Sequence, residues 1–284
     1  MNCAVIGLGR AGKVRLRDLP LVGALLGVTV SRRPGVGSHT FAQVLGDSSI
    51  GACLITTENA THAELAEACL HAGKHVLVEF PLAHDVATAR HLYDLARDRQ
   101  LVLHCELIGL LTAEHARFRQ MLTEQPVARV QLGFTGGCEG WLAQEARNGH
   151  WGQLSVARLH ALWDALGPLT LRHATVETST DGYRLVVDLL AAKVEVRLIE
   201  LRLPGLVRGR TFEAFQADGT AVDPQSPRGD LPDREDRGEG LFLRDLKAFL
   251  RRIESGNQHG AYVSDADVLA VMALAEAISA RVSG

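Results

Sequence analysis

The chain lacks the features that would place it in a membrane or in an oxidising compartment. No stretch of its 284 residues approaches the roughly 20 consecutive apolar residues that a membrane-spanning helix needs. The N-terminus enters a predicted strand directly, without a signal-peptide pattern. The five cysteines are odd in number and form no Cys-x-x-Cys pair, which is typical of reduced thiols and argues against a zinc site. We therefore expect a cytoplasmic protein with no metal and no membrane partner.

The chain also lacks an excess of positive charge. Lys and Arg together number 30 against 33 Asp and Glu, a formal net charge of −3. Recognition of phosphates in nucleic acids normally brings a strong positive excess, so we expect no nucleic-acid partner. What the chain does have is apolar material, 46% of its residues against 22% charged, over a length that suits two domains. The composition predicts a globular protein with a buried core.

A glycine-rich motif, Val-Ile-Gly-Leu-Gly-Arg-Ala-Gly, begins at residue 5 and follows a short apolar segment that predicts the first strand. In a dinucleotide-binding unit Gly7 would form the tight turn, Gly9 would let the backbone approach a pyrophosphate, and Gly12 would allow close packing of helix on strand. The helix that begins there would offer unpaired N–H groups to the phosphates. The predicted cofactor contacts at this turn are Gly7, Gly9, Arg10, Ala11 and Gly12.

The cofactor preference is predicted by the residues after the second strand. An NAD site usually has a carboxylate there for the ribose hydroxyls, whereas this chain has Ser31, Arg32 and Arg33. A 2′-phosphate needs positive charge and hydrogen-bond donors, which these three residues supply. We expect NADPH as the cofactor, with NADH as a weaker alternative. The competing interpretation is a solvated basic turn after an edge strand.

Strand-like and helix-like segments alternate over about the first 105 residues, which predicts a parallel, doubly wound sheet. The predicted strands are 2–6, 26–30, 52–56, 76–79 and 101–104, and the predicted helices are 13–19, 61–72 and 85–98. Pro20 would stop the first helix. A Thr61-x-x-Glu64 capping box would begin the second, and Gly73 would end it.

The pattern then changes to long β-rich runs, which predict a C-terminal α+β domain with a large, mainly antiparallel sheet. These runs are 128–134, 171–177, 183–190, 193–203 and 211–217. Helices are predicted at 112–123, 155–166, 241–255 and 264–281, and a loop at 218–240. We expect an NADP-binding Rossmann domain over 1–108 and a substrate domain over 109–284, whose last helices pack back on the first domain.

Residues 73–81, Gly-Lys-His-Val-Leu-Val-Glu-Phe-Pro, resemble the glucose-fructose oxidoreductase superfamily, whose members often have Glu-Lys-Pro at this point. Here Phe80 replaces the lysine. The superfamily also usually places an Asp and a His four residues apart near the helix at 155–166, where this chain has Gln153 and Ala157. These departures argue against sugar oxidation, because no obvious base would take the proton of an alcohol. His160 is a weak substitute.

A closer resemblance within that superfamily is to the biliverdin reductases of the animal A type. It is carried first by residues 9–19, 31–33 and 72–79. Further matches are Leu103-His104-x-Glu106, Leu110-Leu111, Ala157-Arg158-Leu159, Leu166-Gly167, Pro204-Gly205-Leu206-x-Arg208-x-Arg210, and Phe242-Leu243 with Asp245. The resemblance implies reduction of the central methine bridge of biliverdin to give bilirubin, with hydride from NADPH and a proton delivered to a pyrrole nitrogen.

The resemblance also implies site residues. Arg158 matches a family arginine near the substrate; because its pKa is above about 12, polarising the bilin or orienting a water suits it better than acting as an acid. The alternative is a helix-surface arginine in a salt bridge. Glu79 and Glu106 follow two strands and could hold the nicotinamide amide or carry a raised pKa, although Glu79 could instead cap a helix. Phe80 stands where the animal enzymes have a tyrosine. The predicted catalytic residues are Glu79, Glu106 and Arg158, the predicted substrate contacts are Phe80, His104 and Arg158, and Thr56 and Glu79 complete the predicted cofactor contacts.

Three functions of different classes stay open. The first is an NADPH-dependent biliverdin reductase, a tetrapyrrole enzyme of haem degradation with biliverdin and bilirubin as ligands. The second is a related oxidoreductase acting on another carbonyl or sugar-like substrate, and the third is a non-catalytic NADP-binding sensor or scaffold. Arg208 and Arg210 could bind propionates or form one solvated strand face. We expect a monomer or a homodimer, since the superfamily's sheet domain often dimerises while animal biliverdin reductases are generally monomeric.

Overall fold

The computed structural model of the protein describes residues 1–283 apart from Arg32, Pro34, 223–238 and 257–259. The predicted cofactor contact at Arg32 and most of the predicted loop at 218–240 therefore lie outside the described residues. The chain divides into two compact units. The first comprises Met1–Leu111 and the described part of Arg234–Leu269, and the second comprises the described parts of Thr112–Asp233 and Ala270–Gly284.

Within the described residues, the predicted strands and helices occur in the predicted order, together with three short helices and one two-residue strand that were not predicted. The strands are β1 (Asn2–Ile6), β2 (Leu25–Val30), β3 (Ile50–Ile55), β4 (His75–Val78), β5 (Leu103–Cys105), β6 (Arg129–Gly136), β7 (Leu169–Thr178), β8 (Tyr183–Ala191), β9 (Val194–Arg202), β10 (Gly209–Phe215) and β11 (Ala221–Val222). The α-helices are α1 (Arg10–Asp18), α2 (Phe41–Gly46), α3 (His62–His71), α4 (Val86–Asp98), α5 (Ala113–Glu124), α6 (Trp141–Arg147), α7 (Trp151–Leu154), α8 (Val156–Leu166), α9 (Leu241–Glu254) and α10 (Asp265–Ser283). None of the helices in the described part of the chain combines the length and apolar character that crossing a bilayer requires.

The first unit contains a five-stranded sheet in the order β2-β1-β3-β4-β5, with every neighbouring pair parallel. The prediction of a doubly wound parallel sheet is confirmed. Because β2 lies on one side of β1 and β3 on the other, the strand order reverses at β1. Ligands of such sheets bind at this reversal, beyond the carboxyl ends of the strands.

Helix α9 supplies part of the core of the first unit, although it lies far along the chain. Leu246 and Phe249 of α9 are fully buried in one apolar cluster with side chains from β1, β3 and β4. Burying side chains of this size stabilises the fold by about 1.5 to 3 kcal/mol each. The apolar core beside the sheet that carries the glycine motif is therefore completed by a helix from the C-terminal part of the chain.

The second unit contains a six-stranded sheet in the order β11-β10-β6-β9-β8-β7. Among the described strands of this sheet, β6 and β9 pair in parallel and the other neighbours are antiparallel, which confirms the prediction of a mainly antiparallel sheet. Side chains alternate between a buried and a more exposed face, as in β8, where Leu185, Val187 and Leu189 are buried. Helix α8 contacts β7 and α5.

The predicted Thr61–Glu64 capping box is wrong. Thr61 is the last residue of a 3₁₀ turn and already has a helical backbone conformation, and its hydroxyl donates to the Thr57 hydroxyl (2.8 Å) instead of accepting from the helix. A capping box does occur at Thr40 and Gln43, where it begins α2, a helix that the sequence analysis missed. The short helices α6 and α7 were missed as well, since neither is long enough to show a helical period.

Candidate active site

The predicted glycine motif forms a tight turn between β1 and α1. Gly7 has a φ of +97°, a conformation that favours glycine. A Cβ on Gly12 would lie 2.0 Å from the carbonyl oxygen of Gly7, so a side chain at Gly12 would displace the turn. A Cβ on Gly9 would instead meet no heavy atom within 4 Å. The turn therefore leaves open space beside Gly9, where the backbone can approach a phosphate group.

The N-terminus of α1 adds donors at the same place. The amide of Lys13 donates to the carbonyl of Gly9 (3.2 Å), so the amides of Arg10, Ala11 and Gly12 have no acceptor within the helix. The first turn contains no acidic side chain, and the positive end of the helix dipole favours an anion there. The residues present fit the pyrophosphate of a dinucleotide.

Thr56, a predicted cofactor contact, follows β3. Its hydroxyl donates to the carbonyl of Gly7 at 2.7 Å, and its side chain is buried. In this structure Thr56 therefore fixes the shape of the glycine turn.

The predicted 2′-phosphate residues follow β2. The side chain of Arg33 reaches back to the glycine turn and donates to the carbonyl of Leu8 at 3.1 Å. The hydroxyl of Ser31 accepts from the backbone amide of Arg33 (3.1 Å). A hydroxyl and an exposed guanidinium thus lie together next to the turn.

Glu79 lies just beyond β4 and is bound by an arginine that the sequence analysis did not select as a site residue. Arg15 of α1, which is completely buried, donates to the Glu79 carboxylate at 3.2 Å, so Glu79 does not act as a helix cap. The same guanidinium donates to Asp245 of α9 (2.5 Å) and to the carbonyl of Phe242 (2.9 Å). The signal for Arg15 was a charged residue three positions after Gly12, on the helix face that packs on the sheet.

Asp245 is held in turn by two further side chains. Its Oδ1 is 2.8 Å from Nε2 of His104 and accepts from the hydroxyl of Tyr262 at 2.6 Å. Burial alone raises the pKa of Asp245, but Arg15 and His104 outweigh burial and hold that pKa at about 2. His104, a predicted substrate contact, is 1% exposed and supports Asp245 here; a contact with substrate stays a prediction.

Glu106 follows β5 and is almost completely buried. Its Oε1 accepts from the amide of Ile108 at 2.9 Å, while Oε2 has no hydrogen-bond partner within the described residues. Burial, with smaller contributions from Glu79 and Asp245, raises the pKa of Glu106 to about 8. Burial also raises the pKa of Glu79, although Arg15 opposes this. These two carboxyl groups can therefore hold a proton at neutral pH. Phe80, which is half-buried and follows Glu79 in the chain, has no polar hydrogen to donate.

Arg158 lies in the first turn of α8 in the second unit. Its Nη2 is 2.9 Å from the carboxylate of Glu200 on β9 and also donates to the carbonyl of Leu154. Burial lowers the pKa of Arg158, and the negative charge of Glu200 opposes that effect. The alternative of a helix-surface arginine in a salt bridge is therefore half right, because Arg158 is ion-paired but buried.

Arg158 also lines a cavity of about 340 Å³ within the second unit. The cavity is lined by Glu114, His115, Arg117, Phe118, Met121, Leu132, Arg158, Ala161, Arg210 and Phe212. Arg210 of β10 pairs with Glu114 at 3.0 Å, and Arg208 directly precedes β10. Both arginines are exposed, so the interpretation of a solvated strand face stays open beside that of propionate binding. Apolar walls beside guanidinium groups suit an organic anion.

Comparisons with known proteins agree with this geometry. Residues 1–107 match an oxidoreductase family with an NAD-binding Rossmann fold. The chain is 32% identical to biliverdin reductase A of Homo sapiens over 262 residues, covering 88% of this chain and 84% of that protein. It is 30% identical to 1,5-anhydro-D-fructose reductase of Ensifer adhaerens over 127 residues, covering 44% of this chain and 38% of that protein.

A solved structure shares the fold over the full length. The crystal structure of biliverdin reductase from Synechocystis sp. PCC 6803, in complex with biliverdin and NADP⁺, superposes with a TM-score of 0.78. The superposition covers 100% of this chain and 99% of that chain, at 21% sequence identity. Both units thus have the architecture of this group of proteins.

Proposed function

Because the chain belongs to the biliverdin reductase A family and is an NADP-dependent oxidoreductase, we propose that it reduces biliverdin to bilirubin with NADPH. The observation that carries the proposal is the 32% identity to the human enzyme across 84% of that enzyme's length, which includes both units. The likeness to the anhydrofructose reductase extends over 44% of the chain. That difference favours the bilin over a sugar-like substrate.

The reaction adds two electrons as a hydride to the central methine carbon of biliverdin and one proton to a pyrrole nitrogen. The bound nicotinamide supplies the hydride. The chain's part is to bind the cofactor, and we assign its pyrophosphate to the turn at Gly9 and the first turn of α1. We assign its 2′-phosphate to Ser31 and Arg33 together with Arg32.

We assign the proton to the buried carboxyl groups of the first unit. Glu106 stores it, since the pKa of Glu106 is raised to about 8, and Glu79 is the more accessible of the two carboxyls. Arg15 fixes Glu79, and His104 acts on Glu79 indirectly, by fixing Asp245. Phe80 contributes an apolar surface for the tetrapyrrole, and the tyrosine hydroxyl of the animal enzymes is not required.

In the second unit we assign Arg158 to polarise the bilin. A guanidinium keeps its charge at neutral pH and draws electron density toward a pyrrole nitrogen as the proton arrives. The cavity beside Arg158 combines aromatic and aliphatic walls with arginines, which suits a flat pigment that carries two carboxylates.

The proposal is tested by mixing the purified protein with NADPH and biliverdin and following the visible spectrum. The absorption band of the green pigment should fall while the band of yellow bilirubin rises. Replacing both Arg32 and Arg33 by Ala should weaken NADPH binding by about 100-fold or more and leave NADH binding nearly unchanged, because each of the two lost charge-assisted hydrogen bonds contributes about 1.5 to 3 kcal/mol.

The matched control is Arg97→Ala, an exposed arginine of α4 paired with Asp94, which should leave both cofactors unaffected. No spectral change at any pH between 5 and 9 would overturn the proposed substrate. Oxidation of NADPH by 1,5-anhydrofructose in the same assay would favour the sugar-like alternative.

A further inference from the structure

The second unit buries more positive than negative charge at the carboxyl ends of β6 and β9. Arg158 and Arg202 are each 8% exposed, and both contact Glu200, which is 0% exposed. Their distances to the Glu200 carboxylate are 2.9 Å from Nη2 of Arg158 and 2.7 Å from Nε of Arg202. Within the described ranges no second carboxylate lies within 4 Å of either guanidinium. Two buried cations thus share one anion.

Both carboxylate oxygens of Glu200 already accept hydrogen bonds. Besides the two arginines, it accepts from the hydroxyls of Ser155 (2.6 Å) and Tyr183 (3.1 Å). On the arginine side, Nε of Arg158 is buried without an acceptor among the residues that the structure describes. Nη1 of Arg202 has only a long contact, 3.4 Å, to the carbonyl of Gly137. Among the described residues, the cluster therefore has an unpaired guanidinium donor, while the carboxylate oxygens of Glu200 are already bound.

Phe134 is the centre around which the cations gather. The guanidinium carbons of Arg158, Arg202 and Arg208 lie 4.6, 4.5 and 5.7 Å from the centroid of its ring. Arg208 is exposed, so it adds a third positive charge at the surface of the cluster. The nearby Glu139 is also exposed, and its Oε1 accepts from the amide of Gly205 at 2.7 Å.

A buried cation without its own counter-ion is unfavourable, because no attraction to a negative charge offsets the free energy lost when the cation leaves water. The neighbouring charge of Arg202 adds to burial in lowering the pKa of Arg158. A bound anion would supply the second negative charge that the two buried arginines lack. The adjoining cavity shares Arg158 and is lined by Leu132 and Phe212, so an anion with an apolar body fits better than a small hydrated ion.

We propose that Arg202 and Arg208, which are grouped with Arg158 around Phe134, bind a carboxylate of the substrate beside the polarising Arg158. Resting on the proposed function, that carboxylate is one propionate of biliverdin. Arg202 and Arg208 are then specificity residues, which select the diacid pigment over its neutral analogues.

The test compares binding of biliverdin and biliverdin dimethyl ester, in which both carboxylates are masked, to the full-length protein with NADP⁺. Absorbance titration should give the wild-type protein a preference for the diacid of about 10- to 100-fold, the amount expected from one charge-assisted hydrogen bond. Arg208→Met and Arg202→Met should each reduce that preference to a few-fold, while binding of the ester changes little.

The matched control is Arg197→Met. Arg197 lies on the same strand as Arg202 but pairs with Asp188 at 2.6 Å on the more exposed face, so the diacid preference should persist. Competition by inorganic phosphate as effective as competition by a second carboxylate pigment would overturn the choice of an organic anion.

Thermal unfolding without pigment separates a binding role from a structural one. Arg202→Met leaves Glu200 paired with Arg158 and removes the repulsion between the two cations, so its melting temperature should match or exceed that of the wild-type protein. A lower melting temperature with an unchanged diacid preference would overturn the assignment. Equal binding of acid and ester would overturn it while the proposed function stands, whereas failure of either pigment to bind would overturn the proposed function itself.

Discussion

At the scale of single residues, the first unit balances its buried charge by keeping one carboxyl protonated. Arg15 is the buried cation, and Asp245, Glu79 and Glu106 are the carboxyl groups around it. Asp245 is ionised at any ordinary pH because its pKa is held at about 2. The neutral form of Glu106 prevents a third negative charge from accumulating. A proton is therefore part of the resting structure of the group.

Glu106→Gln should remove a pH dependence of stability. The pKa of Glu106 is about 8 in the folded protein and near 4.5 when unfolded, so the folded state holds the extra proton between these values. The free energy of unfolding of the wild-type protein should therefore fall as pH rises through this window, by at most about 1.4 kcal/mol per pH unit from this group. Urea unfolding at several pH values measures the slope.

The variant Glu106→Gln should show a flatter profile than the wild-type protein between about pH 5 and 8. Glu254→Gln, at the exposed end of α9, is the control and should leave the slope unchanged. An identical slope for the wild-type protein and Glu106→Gln would contradict a protonated Glu106.

At the scale of residues, the sequence predicts which side chains lie together where those residues are close along the chain. The cofactor turn and the basic residues after β2 are contiguous, and the structure brings Arg33 to the glycine turn. Arg15 and Asp245 are separated by 230 positions, so no local pattern joins them. Glu200 and Arg202 are two positions apart on β9, a pattern that is also typical of an ordinary solvated strand face. Their burial depends on Arg158 of α8, which pairs with Glu200 and is distant in sequence.

At the scale of elements, the turn between β1 and α1 contains two glycines that are needed for different reasons, Gly12 for packing and Gly9 for access to the backbone. Gly12 is required by packing, since its Cβ would lie 2.0 Å from the Gly7 carbonyl oxygen. Gly9 has a φ of −77° and open space around it, so the fold itself accepts a side chain there. The two positions therefore allow stability and cofactor binding to be altered independently.

Gly9→Ala should change the free energy of unfolding by less than about 1 kcal/mol, because neither backbone strain nor a clash is introduced. The added methyl group should keep the pyrophosphate away from the backbone amides and weaken NADPH binding by about 10-fold or more. Gly12→Ala should lose about 1 to 3 kcal/mol of stability in addition to cofactor affinity. Thermal unfolding and fluorescence titration with NADPH measure both quantities, and equal destabilisation by the two variants would contradict the assignment.

The long elements were predictable because their periodicity runs over many residues. The four helices α4, α5, α8 and α9 and most strands begin and end within a few residues of their predicted bounds. The misses were short elements such as α6 and α7, together with the cap of α3, where a preceding 3₁₀ turn had already made Thr61 helical. Local signals fail there because the neighbouring turn, and not the motif, sets the backbone conformation.

At the scale of the whole molecule, the first unit is discontinuous in sequence. It needs α9, which supplies Asp245 for Arg15 and places Leu246 and Phe249 against β1, β3 and β4. A fragment that ends at Leu111 keeps the whole parallel sheet but exposes that apolar surface and leaves a buried arginine short of one anion. Removing one partner of a buried pair typically costs about 3 to 5 kcal/mol.

The fragment Met1–Leu111 should therefore show no cooperative thermal transition and no NADPH binding. The matched control joins the same fragment through a short Gly-Ser linker to residues 239–269, and it should unfold cooperatively and bind NADPH. Circular dichroism and a fluorescence titration measure the two outcomes. Tight NADPH binding by the fragment alone would show that α9 is dispensable.

The return of α9 to the first unit also sets an order of events during synthesis. Arg15 emerges from the ribosome 230 residues before Asp245, an interval of roughly 10 to 50 seconds at about 5 to 20 residues per second. Over that interval the nascent nucleotide-binding sheet carries an incomplete core and an arginine short of one partner. The unit encoded first is thus the one that finishes folding late, after the entire sequence of the antiparallel sheet has been translated.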